Sequence, residues 1–220
     1  MPSISIVNAP GPHAGSRVVA AGAPLESARA AAVMLHGRGA TAGSILALAG
    51  EIDVPALAYL APQAASNTWY PHRFLMPIAS NEPWLSSALA VVDDLVAQLG
   101  RAGMGPDRIA LLGFSQGACL ALEYAVRHPR RYGAIVGLSG GLIGPADTMW
   151  PSPAELAGTP VFLGCGDPDG HIPAERVRES AEIFRRAGAD VTAILYPGLG
   201  HTVGDDEIER TRELLTRIAG

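Results

Sequence analysis

The sequence predicts an α/β fold, with a mostly parallel central sheet covered by helices on both faces. Short apolar runs bounded by Gly, Pro or Asp alternate with segments of helical periodicity along most of the chain. This alternation is typical of parallel strands joined by crossover helices. The 220 residues are 48% apolar and 17% charged, a composition that can bury one large core. Because no repeat, linker or low-complexity tract interrupts it, we expect residues 1–220 to form a single domain.

The predicted strands are short and end at turn-forming residues. Residues 3–7 and 17–20 are expected to open the fold as an antiparallel pair. The run 29–35 is the first buried strand, and it ends at the glycine turn His36-Gly37-Arg38-Gly39. Further buried strands are predicted at 56–60, 108–112, 134–138, 161–163 and 191–196.

Helices are predicted between and after these strands. The clearest covers residues 84–101, where apolar side chains recur on one face and Gly103 follows the end. The helix at 205–219 begins with acidic residues, which suit the positive end of a helix dipole. The others are expected at 41–49, 116–128 and 173–187. The long irregular stretches 61–83 and 139–159 are expected to shape a binding site.

Composition excludes several classes of function. All 16 basic residues are arginine, which excludes a Schiff-base lysine, a pyridoxal-phosphate anchor and a Walker-A lysine. The net charge is −5 and no basic run exceeds two residues, so we expect no nucleic-acid partner. No apolar run approaches the roughly 18 residues of a membrane helix, so stable membrane insertion is not expected. No secretory signal is visible, which favours a cytoplasmic location.

A G-x-S-x-G motif is the strongest chemical signal in the chain. Gly113-Phe114-Ser115-Gln116-Gly117 lies between a predicted strand and a predicted helix. That context is the one a nucleophile elbow requires, because small neighbours let the serine stand exposed at a sharp turn. The motif alone matches by chance rather easily in a glycine-rich chain, so its context carries the prediction.

A serine needs a general base to act as a nucleophile. In α/β hydrolases the chain order is serine, then acid, then histidine. Of the six histidines, only His171 and His201 follow both Ser115 and the end of a predicted strand. His201 is the better candidate, because its glycine-flanked loop between the last strand and the last helix can bring the ring to the serine.

Two aspartates compete for the role of the acid that orients the base. Asp167 and Asp169 both follow the predicted strand 161–163, and spacing alone does not choose between them. A metal site at Asp167, Asp169 and His171 is the alternative for this cluster. No second cluster has matching spacing, so no metal is expected.

An oxyanion hole completes the predicted site. In this fold its donors are the N–H of the residue after the nucleophile and an N–H of the loop after an early strand. These are the backbone N–H groups of Gln116 and Arg38. The side chain of Arg38 is expected to be solvated. Cys119 and Cys165 are interpreted as small core residues rather than nucleophiles.

Together these segments resemble one family. The chain resembles the phospholipase/carboxylesterase family, also described as acyl-protein thioesterase-like α/β hydrolases, from about residue 32 to the end. The resemblance implies an α/β-hydrolase fold without a separate lid domain, no metal, no organic cofactor and broad ester specificity. It also implies that Asp169 is the acid, since the family motif is D-x-x-[VI]-P. The matching segments are Leu35-His36-Gly37-Arg38-Gly39, Ala61-Pro62-Gln63, Gly113-Phe114-Ser115-Gln116-Gly117, Leu138-Ser139-Gly140-Gly141, Asp169-x-x-Ile172-Pro173 and Gly200-His201.

Two departures narrow the resemblance. Members that remove fatty acyl groups from proteins usually carry an Asp where this chain has Ala40, and Trp69-Tyr70-Pro71-His72-Arg73-Phe74 resembles the bacterial carboxylesterase branch. Both favour small ester substrates. Apolar residues of the two long loops are expected to line the substrate groove. They are Trp69, Phe74, Leu75, Met76, Trp84, Leu142 and Ile143.

The predicted function is therefore that of a serine carboxylesterase. We expect it to hydrolyse small-molecule esters with short or medium acyl chains through an acyl-enzyme on Ser115, His201 and Asp169. A thioesterase or a lysophospholipase of the same family is the nearest alternative, and a non-catalytic ligand-binding protein of the same fold is a more distant one. A homodimer is kept as a hypothesis.

Overall fold

A computed structural model describes residues 4–150, 156 and 158–220. These residues form one seven-stranded sheet, flanked by helices. The strands are β1 (Val18–Gly22), β2 (Ala30–Leu35), β3 (Leu57–Pro62), β4 (Ile109–Phe114), β5 (Ala134–Leu138), β6 (Pro160–Gly166) and β7 (Asp190–Tyr196). The helices are α1 (Ala42–Ile45), α2 (Ala47–Ile52), α3 (Trp84–Arg101), α4 (Gln116–Arg127), α5 (Ala174–Arg186) and α6 (Asp205–Ala219). Short 3-10 turns lie at Gly11–His13, Ala65–Asn67, Ile78–Asn81 and Pro106–Arg108.

The sheet has the strand order β1-β3-β2-β4-β5-β6-β7. β1 runs antiparallel to β3, and all other neighbours are parallel. Helices cover both faces, so the mostly parallel α/β-hydrolase fold predicted from the sequence is confirmed.

The predicted opening pair of strands is corrected. Its pairing is reduced to one antiparallel bridge between Ile6 and Arg17. β1 instead pairs along its length with β3, from Val18 opposite Pro62 to Gly22 opposite Ala58. The free edge of β3 offers a full row of backbone partners, which the short N-terminal run does not. The prediction of one helix at 41–49 is corrected as well, because this stretch forms two short helices, α1 and α2, which meet at Leu46.

The core lies in two layers, one on each face of the sheet. Apolar side chains of α3, α4 and α5 pack on one face, and those of α1, α2 and α6 pack on the other. Strand β2 is buried at every position, with Val33 and Leu35 in the first layer and Ala32 and Met34 in the second. Burial on both faces explains why this strand is a continuous apolar run rather than an alternating one. In the described part of the chain, no helix is long and apolar enough to cross a membrane.

The carboxyl ends of the parallel strands lie at one edge of the sheet. β4 leads there into Ser115, β6 into the turn that carries Asp169, and β7 into the loop that carries His201. Ligand sites of open α/β sheets are found outside the carboxyl ends of the strands. The fold therefore brings three distant segments of the sequence to the edge where a site is expected.

Candidate active site

Ser115 occupies a strained turn between β4 and α4. Its backbone has φ 55° and ψ −120°, a conformation that residues with a side chain rarely adopt. The glycines on either side make the turn possible. A Cβ on Gly117 would collide with the backbone of Leu35, and one on Gly113 would collide with the backbone of Gly117. The spacing of G-x-S-x-G thus has a steric cause in this structure.

Ser115, His201 and Asp169 form a chain of hydrogen bonds. The Oγ of Ser115 lies 2.8 Å from Nε2 of His201, and Nδ1 of His201 lies 2.7 Å from Oδ2 of Asp169. The His201 side chain is 22% exposed, whereas that of Asp169 is fully covered. When Nδ1–H donates to the carboxylate, Nε2 is left as an acceptor for the serine hydroxyl. The arrangement therefore fixes the tautomer that a general base needs.

The structure separates the two aspartates that the sequence left in competition. Oδ1 of Asp169 accepts hydrogen bonds from the N–H groups of His171 and Ile172, at 2.8 and 3.1 Å. Burial raises the pKa of Asp169, but its hydrogen bonds to His201, His171 and Ile172 outweigh that effect and hold its pKa below the usual value. Asp167 is exposed and accepts from the N–H of Gly198 instead. Only Asp169 is thus in contact with His201.

The two backbone N–H groups predicted for the oxyanion hole are free. Within the described residues, neither the N–H of Arg38 nor that of Gln116 has a hydrogen-bond acceptor. Gln116 is the first residue of α4, where N–H groups have no partner inside the helix. The turn that carries Arg38 is close to the serine, since a Cβ built on Gly37 would lie 3.4 Å from Cβ of Ser115.

The side chain of Arg38 is exposed to solvent, as expected, and it is also hydrogen-bonded to the chain after Asn67. Its Nη1 donates to the carbonyl of Pro71 at 2.8 Å and to Oγ1 of Thr68 at 3.2 Å. Its Nη2 donates to the carbonyl of His72 at 2.6 Å, and the guanidinium lies 5.8 Å from the ring centre of Tyr70. The hydroxyl of Thr68 and the carbonyls of Pro71 and His72 thus hold this exposed side chain against residues 68–72, which we call the wall segment.

The side chain of Gln116 holds the same segment from the other side. Its Oε1 accepts from the N–H of Trp69 at 2.9 Å and from the hydroxyl of Thr68 at 3.2 Å. Its Nε2 donates to the carbonyl of Tyr70 at 2.7 Å. Arg38 and Gln116 therefore contribute twice: their main chains carry the free donors, and their side chains fix the wall segment.

Two buried histidines anchor the wall segment and the residues just before it. Nδ1 of His36 bonds the carbonyl of Gly37 at 2.8 Å, and Nε2 accepts from the N–H of Ala64 at 3.1 Å. Nε2 of His13 bonds the carbonyl of Trp69 at 2.9 Å, and Nδ1 accepts from the N–H of Ala65 at 3.1 Å. Burial lowers the pKa of both imidazoles, which are neutral in this arrangement. Sequence reasoning missed this support, although the motif at residues 36–39 already contained His36.

A cavity of about 630 Å³ opens beside Ser115. Phe74 is the one predicted groove residue that lines it. The remaining lining is made by residues that sequence reasoning did not assign to the groove. The apolar ones include Tyr70, Cys119 and Ile172, and the polar ones include Arg38, His72, Arg73 and His171.

The other predicted groove residues lie elsewhere, and the prediction is corrected for them. Trp69, Leu142 and Ile143 are fully buried in the core, and the indole N–H of Trp69 donates to the carbonyl of His36. Trp84 packs edge-on against His13, and neither Leu75 nor Met76 is part of the cavity lining. Apolar loop residues serve the core as readily as a groove, and their side-chain directions decide between the two.

The acidic cluster near His171 has no metal-binding geometry. In residues 4–150, 156 and 158–220, no group of three His, Cys, Asp or Glu side chains could hold a metal ion. The ring of His171 instead packs at 4.7 Å from that of His201. Cys119 and Cys165 are both buried, as expected for core residues, and burial raises the pKa of each thiol to about 12.

Comparison with known proteins agrees with this geometry. The model of the phospholipase/carboxylesterase family matches residues 15–218, nearly the whole chain. The chain belongs to the phospholipase/carboxylesterase family. A solved structure of a phospholipase/carboxylesterase from Dyadobacter fermentans is 41% identical, with a TM-score of 0.87 over 91% of this chain and 96% of that one. Esterase PE8 is 26% identical, with a TM-score of 0.74 over 92% of this chain and 99% of that one.

The curated relatives of this chain carry two kinds of name. Acyl-protein thioesterase 1 of Gibberella zeae is 35% identical over 56% of this chain and 54% of its own length. Carboxylesterase SOBER1 of Arabidopsis thaliana is 26% identical over 58% of this chain and 54% of its own length. The chain thus matches little more than half of the length of each of these two curated relatives.

Proposed function

We propose that this protein is a serine carboxylesterase, with Ser115 as nucleophile, His201 as general base and Asp169 as the acid that orients the base. The observation that carries the proposal is the continuous chain of hydrogen bonds from Ser115 through His201 to Asp169 at the carboxyl edge of the sheet. Family membership supports it, because the related structures include a phospholipase/carboxylesterase and an esterase.

The proposed reaction has two halves. Oγ of Ser115 attacks the ester carbonyl while Nε2 of His201 takes its proton, and the tetrahedral intermediate then collapses as His201 protonates the departing alcohol. Water, activated by the same imidazole, hydrolyses the acyl-enzyme and releases the acid. Asp169 holds the ring through Nδ1 and stabilises the imidazolium that forms in each half.

The N–H groups of Arg38 and Gln116 are the proposed donors to the oxyanion. Both lack an acceptor within the described residues, so no internal hydrogen bond has to break when negative charge develops. Each donor of this kind stabilises the transition state by on the order of 3 kcal/mol.

Small esters with short or medium acyl chains are the proposed substrates. Support comes from the mixed lining of the cavity, in which the apolar Tyr70, Phe74 and Ile172 lie beside polar side chains and leave no long apolar channel among the described lining residues. A rate series over 4-nitrophenyl esters of increasing chain length tests this range, and a maximum at long chains would contradict it. Acyl-thioester analogues in the same series test the activity that the name of the Gibberella zeae relative suggests.

The nucleophile is tested with Ser115→Ala. We expect ester hydrolysis to fall by at least about a thousandfold, since the nucleophile is lost while the rest of the site remains. Labelling by a fluorophosphonate should disappear with it, and the thermal unfolding curve should be retained. Ser86→Ala, an exposed serine on α3, is the matched control and should keep full activity. Retained turnover or labelling in Ser115→Ala would overturn the assignment.

The acid is tested by comparing Asp169→Asn with Asp167→Asn. An amide at 169 can present its NH2 group to His201 and stabilise the wrong tautomer, so we expect a loss of on the order of 10⁴-fold in kcat, as for this change in a serine protease triad. Asp167→Asn should keep activity within about threefold, because its contact is with an exposed N–H. The reverse ranking would move the role to Asp167.

A further inference from the structure

The cavity beside Ser115 has the opposite charge to the molecule as a whole. The chain carries 21 acidic and 16 basic residues, a net charge of −5. The described residues that line the cavity include Arg38 and Arg73 but no Asp or Glu. Asp169, the one carboxylate in the proposed machinery, is buried behind His201 and already hydrogen-bonded. The cavity thus presents net positive charge to a ligand.

The charge of Arg38 is fixed in place but not neutralised. All three of its hydrogen-bond acceptors, on Thr68, Pro71 and His72, are uncharged oxygens. Among the ion pairs of the described residues, none involves Arg38 or Arg73. A guanidinium that is held by neutral groups keeps its full charge and therefore its attraction for an anion. Because its position is already fixed, it loses little side-chain entropy when the anion binds.

Arg73 extends this positive edge toward solvent. It is exposed, it follows the wall segment directly, and it lines the cavity together with the polar rings of His72 and His171. Tyr70, Phe74 and Ile172 give the same cavity an apolar part. An apolar part beside a positive edge fits a small molecule that has a carbon chain and an anionic end.

We propose that the cavity selects esters that carry a second, anionic group, such as the half-esters of dicarboxylic acids. This inference rests on the proposed esterase function and names its substrate class. A carboxylate fits this positive edge, because guanidinium groups bind it with directed, charge-assisted hydrogen bonds, and they bind phosphate in the same way. A phosphate carried on the alcohol side would use the same positive charge.

The test compares 4-nitrophenyl hydrogen adipate with methyl 4-nitrophenyl adipate. These substrates have the same leaving group and reacting carbonyl, and they differ in one charge at the far end. We expect kcat/KM to be about tenfold higher for the half-ester at low ionic strength, and the ratio to fall as salt screens the charges. A second arm compares butyryl glycerol 3-phosphate with glyceryl monobutyrate. A preference in the first arm alone assigns the anion to the acyl side, and a preference in both assigns a general anion site.

Substitutions of single arginines test which side chains cause the preference for the half-ester over the methyl ester. Arg73→Gln should lower the half-ester to methyl-ester ratio by about fivefold, and Arg38→Gln should lower it too. Arg186→Gln, an exposed arginine on α5 outside this cavity, should leave the ratio unchanged. A wild-type ratio of one or below, or a ratio that neither Arg73→Gln nor Arg38→Gln lowers, would overturn the inference. In that case the esterase proposal would still stand if the wild-type protein hydrolyses the methyl ester and Ser115→Ala does not.

Discussion

Two long loops lie near the carboxyl edge of the sheet. One of them lines the cavity beside Ser115, and the other packs into the core. The first loop (residues 63–83) lines the cavity through a run of its residues from Tyr70 to Phe74. The second loop (described for residues 139–150) contributes none of the described lining, and its Leu142 and Ile143 are fully buried. From the sequence alone the two loops look alike, because both are long, irregular and apolar.

The anchors of the two loops explain the difference. The first loop is held by Arg38 and Gln116, which also carry the proposed oxyanion donors. The second loop is held from helices behind it: Glu123 accepts from the N–H of Ile143 at 2.9 Å, and Arg176 donates to the carbonyls of Leu142 and Gly144. The order of the first loop is therefore coupled to the site, whereas that of the second is coupled to the core.

Among the effects that distinguish the two loops, the largest is expected on stability, from Glu123→Ala. The Glu123 carboxylate is fully buried and accepts from the N–H of Ile143, the indole of Trp150 and the guanidinium of Arg127. Its loss leaves buried donors unpaired, so we expect the free energy of unfolding to fall by about 3 kcal/mol. Denaturant unfolding measures this, and kcat of the folded fraction should change little.

Exposed Glu213 on α6 provides the control for that prediction. Glu213→Ala should shift the free energy of unfolding by less than about 0.5 kcal/mol. An equal loss in both variants, or a loss of kcat in Glu123→Ala beyond tenfold at full folding, would mean that the second loop is coupled to the site after all.

Gln116→Leu is expected to lower stability less than Glu123→Ala does, but it is also expected to lower activity. The change keeps the backbone N–H and removes the partners of the Trp69 N–H and the Tyr70 carbonyl. We expect a loss of about 2 kcal/mol in stability and of roughly tenfold in kcat/KM, because the wall segment becomes less ordered. Ester hydrolysis and denaturant unfolding measure the two effects. Gln98→Leu on α3, where the amide also bonds a backbone carbonyl, should lose stability without losing activity. Equal activity in the two variants would contradict the coupling.

The smallest expected effect is a pH dependence confined to the first loop. Burial lowers the pKa of His13 and His36 below 6.5, so below that pH the unfolded chain binds more protons than the folded one. Their contribution to stability is present above pH 6.5 and is lost as the pH falls toward the folded pKa. A second proton on each ring would also face the N–H of Ala64 or Ala65.

Hydrogen exchange at pH 7.5 and pH 5, corrected for intrinsic rates, measures this effect. Amides of the first loop should lose protection at the lower pH, and those of residues 140–150, which contain no histidine, should not. Glu207 on α6 acts in the opposite sense: burial raises its pKa to about 7, so its contribution is lost as the pH rises through that value. Equal changes in both loops would mean that the histidines do not act locally.

Much of the fold was predictable because it depends on local patterns. The apolar runs and helical periodicities placed the buried strands and the major helices, and α3 was predicted with the bounds that it has. Gly113 and Gly117 predicted the sharp turn, since their lack of a side chain is what the backbone contacts at that turn require. The pairing of β1 was not predictable, because it depends on which sheet edge is free.

The sequence by itself determined the fold class, the family and the set of residues from which a site could be built. It could not decide between Asp167 and Asp169 without the resemblance, because both follow β6 and only the path of the turn brings Asp169 to His201. It also could not decide which loop lines the cavity or where the side chains of Arg38 and Gln116 lie. Those outcomes depend on contacts between segments far apart in the chain, and only the tertiary structure brings these segments together.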